Sequence, residues 1–408
     1  ITDVEPIARA NELGVDVIIT DHHQPQAVLP AAYAIVNPKL PGEYPEDTLC
    51  GAGVAFKLVQ ALASSGEWRL PEGFEKWLLD VVGLATVADM VPLEGENRAL
   101  AHFGLTVLRK SRRPGLRALA RRARLNLLDV TEEDIGFAFA PRINAASRMG
   151  EPRRAFELLA TDDEVVAAEL ADYLDGLNQD RKLIVSRMMM EASAMLEKLP
   201  TPAPSVIVVG SESWQAGLVG LVASRLVEHC ERTVFVWGGA EGMLRGSCRS
   251  DGSVHIVTLM AQLPTGFFLD FGGHERAGGF ALAKERVHEL QPNLLSAFEK
   301  LKIENSLKIK HCELKIDATL LIEDVTWKNY KLIQQLAPFG VGNPRPLFKF
   351  ENVPLQGARR FGKSKEHLEL DLPVGKAGLG GVKAIQFFSN SSKPDFPWKS
   401  GFATFLAH

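Results

Sequence analysis

The sequence is poor in cysteine, poor in tyrosine, short of long apolar runs and nearly balanced in charge. Its four cysteines, Cys50, Cys230, Cys248 and Cys312, stand far apart and form no CxxC pair. That spacing fits structural thiols in a reducing compartment better than a zinc knuckle or a disulfide framework. No run reaches the roughly 20 apolar residues of a membrane span, and no charged segment with an apolar core behind it opens the sequence. A cytoplasmic protein without membrane contact is therefore expected. A net charge of -4, from 46 Lys and Arg against 50 Asp and Glu, excludes a uniformly basic nucleic-acid binder. Local basic patches stay open, because binding follows where charge sits.

With 408 residues and 46% apolar side chains, the chain exceeds what one core usually supports, so two or three domains are expected. Thr2, Asp3, Val4 and Glu5 have the order of a capping box. The helix they open carries Ile7, Ala8, Ala10 and Leu13 on one face and stops at Gly14. A buried strand over residues 15–20 then delivers Asp21, His22 and His23 to its C-terminal end. Helix followed by strand is the second half of a βαβ unit, and the first residue is Ile1 rather than methionine, so a preceding strand is expected upstream. Strand C-termini form the ligand crevice of an open α/β sheet, and His with Asp suits manganese, zinc or iron. A polar loop after a strand is the competing reading.

Residues 54–63 read as helix, and the nearly continuous apolar segment 77–91 contains Asp80 and Asp89 before Pro92 ends it. Asp89 is either a solvated helix end or a ligand brought to the same cleft as His22. Residues 97–128 hold nine basic side chains and no acidic one, including Arg109, Arg117, Arg121 and Arg122. This is a surface for a polyanion or a helix face paired with acids elsewhere. Residues 141–150 mix Arg142, Asn144 and Arg148 with small residues and read as a site loop. A long helix is expected over 162–199, with a hinge near Gly176.

A second α/β lobe follows, with strands at 205–210, 233–237 and 243–249. Arg245, Ser247 and Arg249 alternate along the last of these and share one face, where two guanidiniums and a hydroxyl can hold a phosphate. Gly272 and Gly273 place His274 on a flexible loop, although tight turns explain the glycines nearly as well. Short strands at 312–316, 347–350, 367–372 and 383–388 read as a small barrel. There Arg359, Arg360, Lys363, Lys365 and His367 surround Phe361, giving the charge and stacking with which OB-folds bind single strands, or an ordinary surface hairpin.

In their order, these pieces resemble the DHH phosphoesterase superfamily, and within it the RecJ single-strand-specific exonucleases. Asp21-His22-His23 is similar to the name-giving motif, residues 83–93 around Asp89 to the next acidic motif, and Arg142 through Arg148 to the motif closing the first lobe. Gly272-Gly273-His274 resembles the signature of the DHH-associated domain, and residues 337–344 resemble the segment leading into the OB-fold. The resemblance implies an α/β architecture: a partial DHH-type parallel-sheet domain over 1–155, a connector helix over 156–200, a smaller α/β DHH-associated domain over 201–303, and a C-terminal OB-fold β-barrel over 308–408. It implies a metal-dependent 5′-to-3′ exonuclease that hydrolyses phosphodiester bonds of single-stranded DNA in recombination and repair, using two Mn2+ or Mg2+ ions. His22 and Asp89 are then metal ligands, with Asp21, His23 and His274 as catalytic residues. Arg148, Asn144, Ser247, Arg249, Arg359 and Arg360 contact the substrate, and Arg148, Ser247 and Arg249 grip its terminal 5′-phosphate. A helicase and a single-strand-binding protein are the implied partners.

Two features depart from the family pattern. The family's DxD-type motif and a further Asp lie on strands ahead of the first helix and are absent here, so the chain is expected to be an inactive fragment when alone. Gln215 stands where the pattern commonly has His. Alternative readings are a DHH phosphodiesterase acting on short oligonucleotides or cyclic dinucleotides, and a non-catalytic single-strand-binding scaffold.

Overall fold

The computed structural model describes residues 1–408 except 26–27, 43, 67, 69, 240–241, 306–313, 363–364, 366, 375–380 and 388–400. The fold is mixed α/β and divides into two compact units, one of residues 1–111, 125–137 and 312–408, the other of residues 112–124 and 138–311.

Helix α1 (Val4–Glu12) starts at Asp3 without a side-chain cap, so the expected capping box does not form. Strand β1 (Ile18–Thr20) pairs in parallel with β2 (Ala34–Val36). It is shorter than expected and is not buried: Ile18 is 58% exposed, because a sheet of two strands leaves its edges and much of its faces open. Helices α2 (Gly51–Ser64), α3 (Phe74–Trp77), α4 (Leu79–Ala88) and α5 (Gly95–Leu108) follow. Val54 and Phe56 of α2 pack with Leu49, Val82 of α4 and Leu100 of α5. The axes of α4 and α5 approach so closely that a Cβ on Gly83 would lie 2.6 Å from the Gly104 Cα, and one on Gly104 2.5 Å from the Gly83 Cα. Buried Asp80 accepts a hydrogen bond from Ser111 Oγ at 2.7 Å.

Helix α6 spans Pro114–Ala123, and short α7 (Glu132–Asp134) opens on a capping box made by Thr131 and Asp134. Helices α8 (Ala140–Arg148), α9 (Pro152–Ala160) and the 33-residue α10 (Glu164–Leu196) come next. Residues 141–148 are thus helical rather than the expected loop: proline sits in the first turn, where its missing N–H has no partner to lose, and Ala145 and Ala146 are fully buried. The arginines of α6 do not form a free positive surface. Arg117 and Arg121 pair with Glu164, Arg122 with Asp172 and Asp175, and Arg113 donates to the Leu159 carbonyl. Asp163 caps α10 by accepting from the amides of Val165 and Val166, and the helix runs through Gly176 without the expected hinge.

The remainder of this unit is a five-stranded sheet, β3 (Val206–Ser211), β4 (Thr233–Gly238), β5 (Met243–Arg249), β6 (Asp270–Gly273) and β7 (Ala277–Ala283), with α11 (Val219–Cys230), α12 (Ile256–Ala261) and α13 (Val287–Asn305). The order is β3-β4-β5-β7-β6; β3 and β4 are parallel and the other pairs antiparallel. One face buries Phe235, Leu244 and Phe280 against Leu290 and Leu294 of α13. The other sets Ile207, Val234 and Val236 against Val222 and Leu226 of α11 and Val185 and Met188 of α10.

Strand β8 (Ala318–Leu320), α14 (Trp327–Ile333) and strands β9 (Phe348–Leu355), β10 (Gly357–Phe361), β11 (His367–Pro373), β12 (Gly381–Gln386) and β13 (Gly401–Ala407) close the chain. Among the described residues they form two three-stranded sheets, β13-β9-β8 and β10-β11-β12, rather than one hydrogen-bonded barrel. The strand expected at 312–316 falls instead at β8; residues 312–313 lie outside the described residues, and 314–316 are irregular. Pairing begins where Asp317 exchanges hydrogen bonds with Leu347. Phe388 and Lys363 also lie outside the described residues. Segment 336–344 is tied to the start of α5: Leu93 N donates to the Val341 carbonyl and Arg98 to that of Leu336.

Candidate active site

Just past β1 the chain turns on the Asp21 carboxylate. Oδ1 accepts from the amides of His22 (2.7 Å) and His23 (3.0 Å) and faces His23 Nδ1 at 2.7 Å, while Oδ2 meets the Ile1 amino group at 2.7 Å. Burial alone would raise the Asp21 pKa, and the hydrogen bonds from His23 and from the His22 amide oppose that rise. Asn37 and Lys39, just beyond β2, bind the carbonyls of His23 and His22. The turn is therefore fixed by side chains from the neighbouring strand end, and the two imidazoles lie 4.4 Å apart.

Asp89 terminates α4 as its C-cap, and its Oδ2 stands 3.6 Å from His22 Nδ1. Burial lowers the His22 pKa; Asp89 and Asp21 oppose that shift, His23 and Lys39 reinforce it, and the neutral ring prevails. A neutral imidazole nitrogen and a half-exposed carboxylate at this separation, too long for a hydrogen bond, suit two donors to one divalent ion, each at about 2.0–2.2 Å. They form only one edge of a site. Among the described residues no group of three or more His, Cys, Asp or Glu side chains converges to hold a metal.

A second polar cluster lies in the other compact unit. Ser247 and Arg249 project from one face of β5, and Arg249 donates to Ser224 Oγ (3.2 Å), Ser247 Oγ (3.0 Å) and the Cys248 carbonyl (2.8 Å). Arg148, the last residue of α8, donates weakly to the Gly217 carbonyl at 3.4 Å. Glycine is required at this junction: a Cβ on Gly217 would lie 2.4 Å from the Arg148 carbonyl oxygen, and one on Gly220 would press on Ser247 Oγ at 3.3 Å. Burial lowers the pKa of Arg148 and of Arg249, and for Arg249 the neighbouring Arg148 adds to the effect. Among the described residues neither guanidinium pairs with a carboxylate, so the cluster beside the start of α11 carries uncompensated positive charge. Sequence reading missed Arg181 of α10, whose pKa is lowered by burial, then by Arg148 and Arg225. Its only signal was its place on the long helix.

The other sequence-derived residues are dispersed. Asn144 is exposed on α8, and His274 is exposed in the turn between β6 and β7, where its amide donates to the Ala277 carbonyl. Arg359 and Arg360, taken together in the sequence, lie on opposite faces of β10. Arg359 forks onto Glu369 at 2.8 and 3.1 Å, with Lys383 joining at 2.9 Å. On the Arg359 face, Phe361 of β10, His367 of β11 and Phe387, just past β12, form a row with neighbouring ring centres 5.1 and 5.3 Å apart.

The sequence matches three family models: the N-terminal domain of the DHH family over residues 1–86, the DHHA1 domain over 203–301 and the RecJ OB domain over 316–402. Fold and domain order thus define the class, a DHH-family protein carrying an associated DHHA1 domain and an OB domain. Over 367 residues the chain is 38% identical to the single-stranded-DNA-specific exonuclease RecJ of Bacillus subtilis, covering 89% of this chain and 45% of that protein. Over 409 residues it is 33% identical to the RecJ of Haemophilus influenzae, covering 96% and 70%. The crystal structure of Thermus thermophilus RecJ in complex with Mn2+ superposes with a TM-score of 0.80 at 28% identity, covering 100% of this chain and 60% of that one. The chain belongs to the RecJ family and spans about half the length of the Bacillus subtilis relative.

Proposed function

We propose that this chain is the DHH, DHHA1 and OB portion of an exonuclease that hydrolyses single-stranded DNA from the 5′ end, in the cytoplasm, during recombination and repair. The observation that carries this reading is the cradle of Arg148, Ser247 and Arg249: half-buried positive charge without a paired carboxylate among the described residues, suited to a terminal phosphate and therefore to digestion from one end. The family relationship and the aromatic row on the OB domain support a nucleic-acid strand as substrate. The RecJ OB match favours this reading over a phosphodiesterase of short oligonucleotides.

His22 and Asp89 would hold a divalent ion, Mn2+ or Mg2+, with further ligands contributed outside this chain, which alone is inactive in this reading. The chemistry supplied at such a site is activation of water and screening of phosphate charge. Asp21 orients His23 through Nδ1, leaving Nε2 on a side chain 73% exposed to donate to a phosphate oxygen, and His274 provides a further contact. Asn144, Arg359 and Arg360 extend the strand-binding surface. A helicase would supply single strands and a single-strand-binding protein would hold them open.

The test uses the full-length protein containing this chain, with manganese and 5′-phosphorylated single-stranded DNA. His22→Ala and Asp89→Ala should each abolish turnover and leave most strand affinity, and hydrolysis undiminished in both variants rejects the metal assignment. Loss of preference for 5′-phosphate over 5′-hydroxyl ends is expected for Arg249→Ala, and an equal loss of rate on both substrates rejects the cradle.

A further inference from the structure

Directly past β2 the chain makes a tight turn that reaches back to the two histidines. Pro38 fixes the φ that such a turn needs, and Leu40 N closes it by donating to the Asn37 carbonyl at 3.1 Å. Asn37 is 7% exposed and uses both ends of its amide: Nδ2 donates to the His23 carbonyl at 2.9 Å, and Oδ1 accepts from the Lys39 amide at 2.9 Å. These bonds aim the Lys39 side chain at the same turn, where Nζ donates to the His22 carbonyl at 2.7 Å.

An ammonium has three N–H donors, and this carbonyl takes one of them. Lys39 is half-buried, and among the described residues its ammonium makes no other hydrogen bond and no ion pair with a carboxylate. The acids of the turn are engaged elsewhere: Asp21 Oδ1 accepts from the amides of His22 and His23 and faces His23 Nδ1, and Asp89 stands against His22 Nδ1. Bracing a carbonyl does not require a charge. A neutral amide would do it and cost less to desolvate. A positive charge held beside two imidazoles with no acid to balance it is suited to an anion that arrives from outside, and the phosphates of a strand are such anions.

We propose that Lys39 is a strand-binding residue of the catalytic centre, its two remaining N–H groups contacting a backbone phosphate of the single strand at the Asp21-His22-His23 turn. This rests on the nuclease reading above and adds a cation to that site. A point charge on a flexible stem can follow a phosphate as the strand advances, whereas the rigid fork of a guanidinium favours one geometry. The contact is made to the backbone and carries no base preference.

The experiment measures binding of the full-length protein, without metal, to a fluorescent oligothymidylate over a series of NaCl concentrations. Losing one phosphate contact on a single strand lowers the slope of log affinity against log salt by about 0.7. Lys39→Gln should therefore bind more weakly at low salt and show that smaller slope, while Lys39→Arg keeps the wild-type slope. A lysine that only braces the turn leaves the slope of Lys39→Gln unchanged, and that result overturns the proposal while the nuclease reading stands. A wild-type protein that does not bind the oligothymidylate refutes the nuclease reading itself. Should Lys39→Gln not fold, the wild type decides through lysine acylation read by mass spectrometry: bound oligothymidylate should protect Lys39 several-fold, and acylation unaffected by the strand overturns the proposal.

Discussion

Replacing Gly83 with alanine sets two known effects against each other at the crossing of α4 and α5. In an exposed helix the change would be stabilising, because alanine is preferred over glycine by about 0.8–1.0 kcal/mol. Here the new methyl would lie 2.6 Å from the Gly104 Cα, 3.0 Å from its carbonyl carbon and 3.2 Å from the Leu100 carbonyl oxygen. Carbon atoms rest at about 3.5–4.0 Å, so the helices must separate by roughly 1 Å, and no side-chain rotation can relieve a contact made by backbone. Overpacking costs about 1–3 kcal/mol; with no rotamer to yield, the upper part of that range applies, and a net loss of about 1–2 kcal/mol remains after the helix preference is subtracted. Gly176→Ala in α10 is the control, since nothing lies within 4 Å of its Cβ position, and it should gain up to about 1 kcal/mol. Urea denaturation followed by circular dichroism reads both, the first midpoint falling by about 0.5–1 M for a slope of about 2 kcal/mol/M. Asp89 caps the same α4, so under the metal assignment proposed above Gly83→Ala should also weaken Mn2+ binding in the full-length protein. If Gly83→Ala proved as stable as Gly176→Ala, the close packing of α4 on α5 would be refuted.

Two further outcomes concern the OB domain. Arg359 and Lys383 hold the Glu369 carboxyl down to about 2 from an ordinary 4.5, so their contribution to stability is complete above pH 4.5 and disappears as pH falls toward 2. Glu369→Gln should flatten that stretch of the acid-unfolding curve, and an unchanged curve would show that the pair is not formed. Phe361→Ala with Phe387→Ala should weaken oligothymidylate binding at least about tenfold, given roughly 1–3 kcal/mol for each stacked base; unaltered affinity in an anisotropy titration would remove the aromatic row from strand contact.

Much of the architecture was legible in the residues because its signals are local. Residues 205–249 announce a strand, a helix and two more strands through apolar runs and periodicity, and the alternation of Ser247 and Arg249 correctly placed both on one face of β5. What failed were inferences needing a neighbour. The helical fate of 141–148 depended on burying Ala145 and Ala146, which a polar, small-residue composition conceals. The arginines of α6 looked free only because Glu164, Asp172 and Asp175 stand far off in sequence. Strand β13 went unread because its pairing with β9 is a long-range contact.

The sequence by itself determined the family motifs, the order of domains and the chemical character of the candidate site, since side-chain identity and periodicity are properties of short stretches. Only the tertiary structure decided which charges remain unspent. It brought His22 to 3.6 Å from Asp89, neutralised Arg142 and Arg359 with carboxylates, and left Arg148, Arg249 and the unforeseen Arg181 without any among the described residues. The reason is electrostatic: whether a buried guanidinium is a strut or a ligand site depends on what surrounds it in space, and those surroundings are assembled from stretches that the linear order keeps apart.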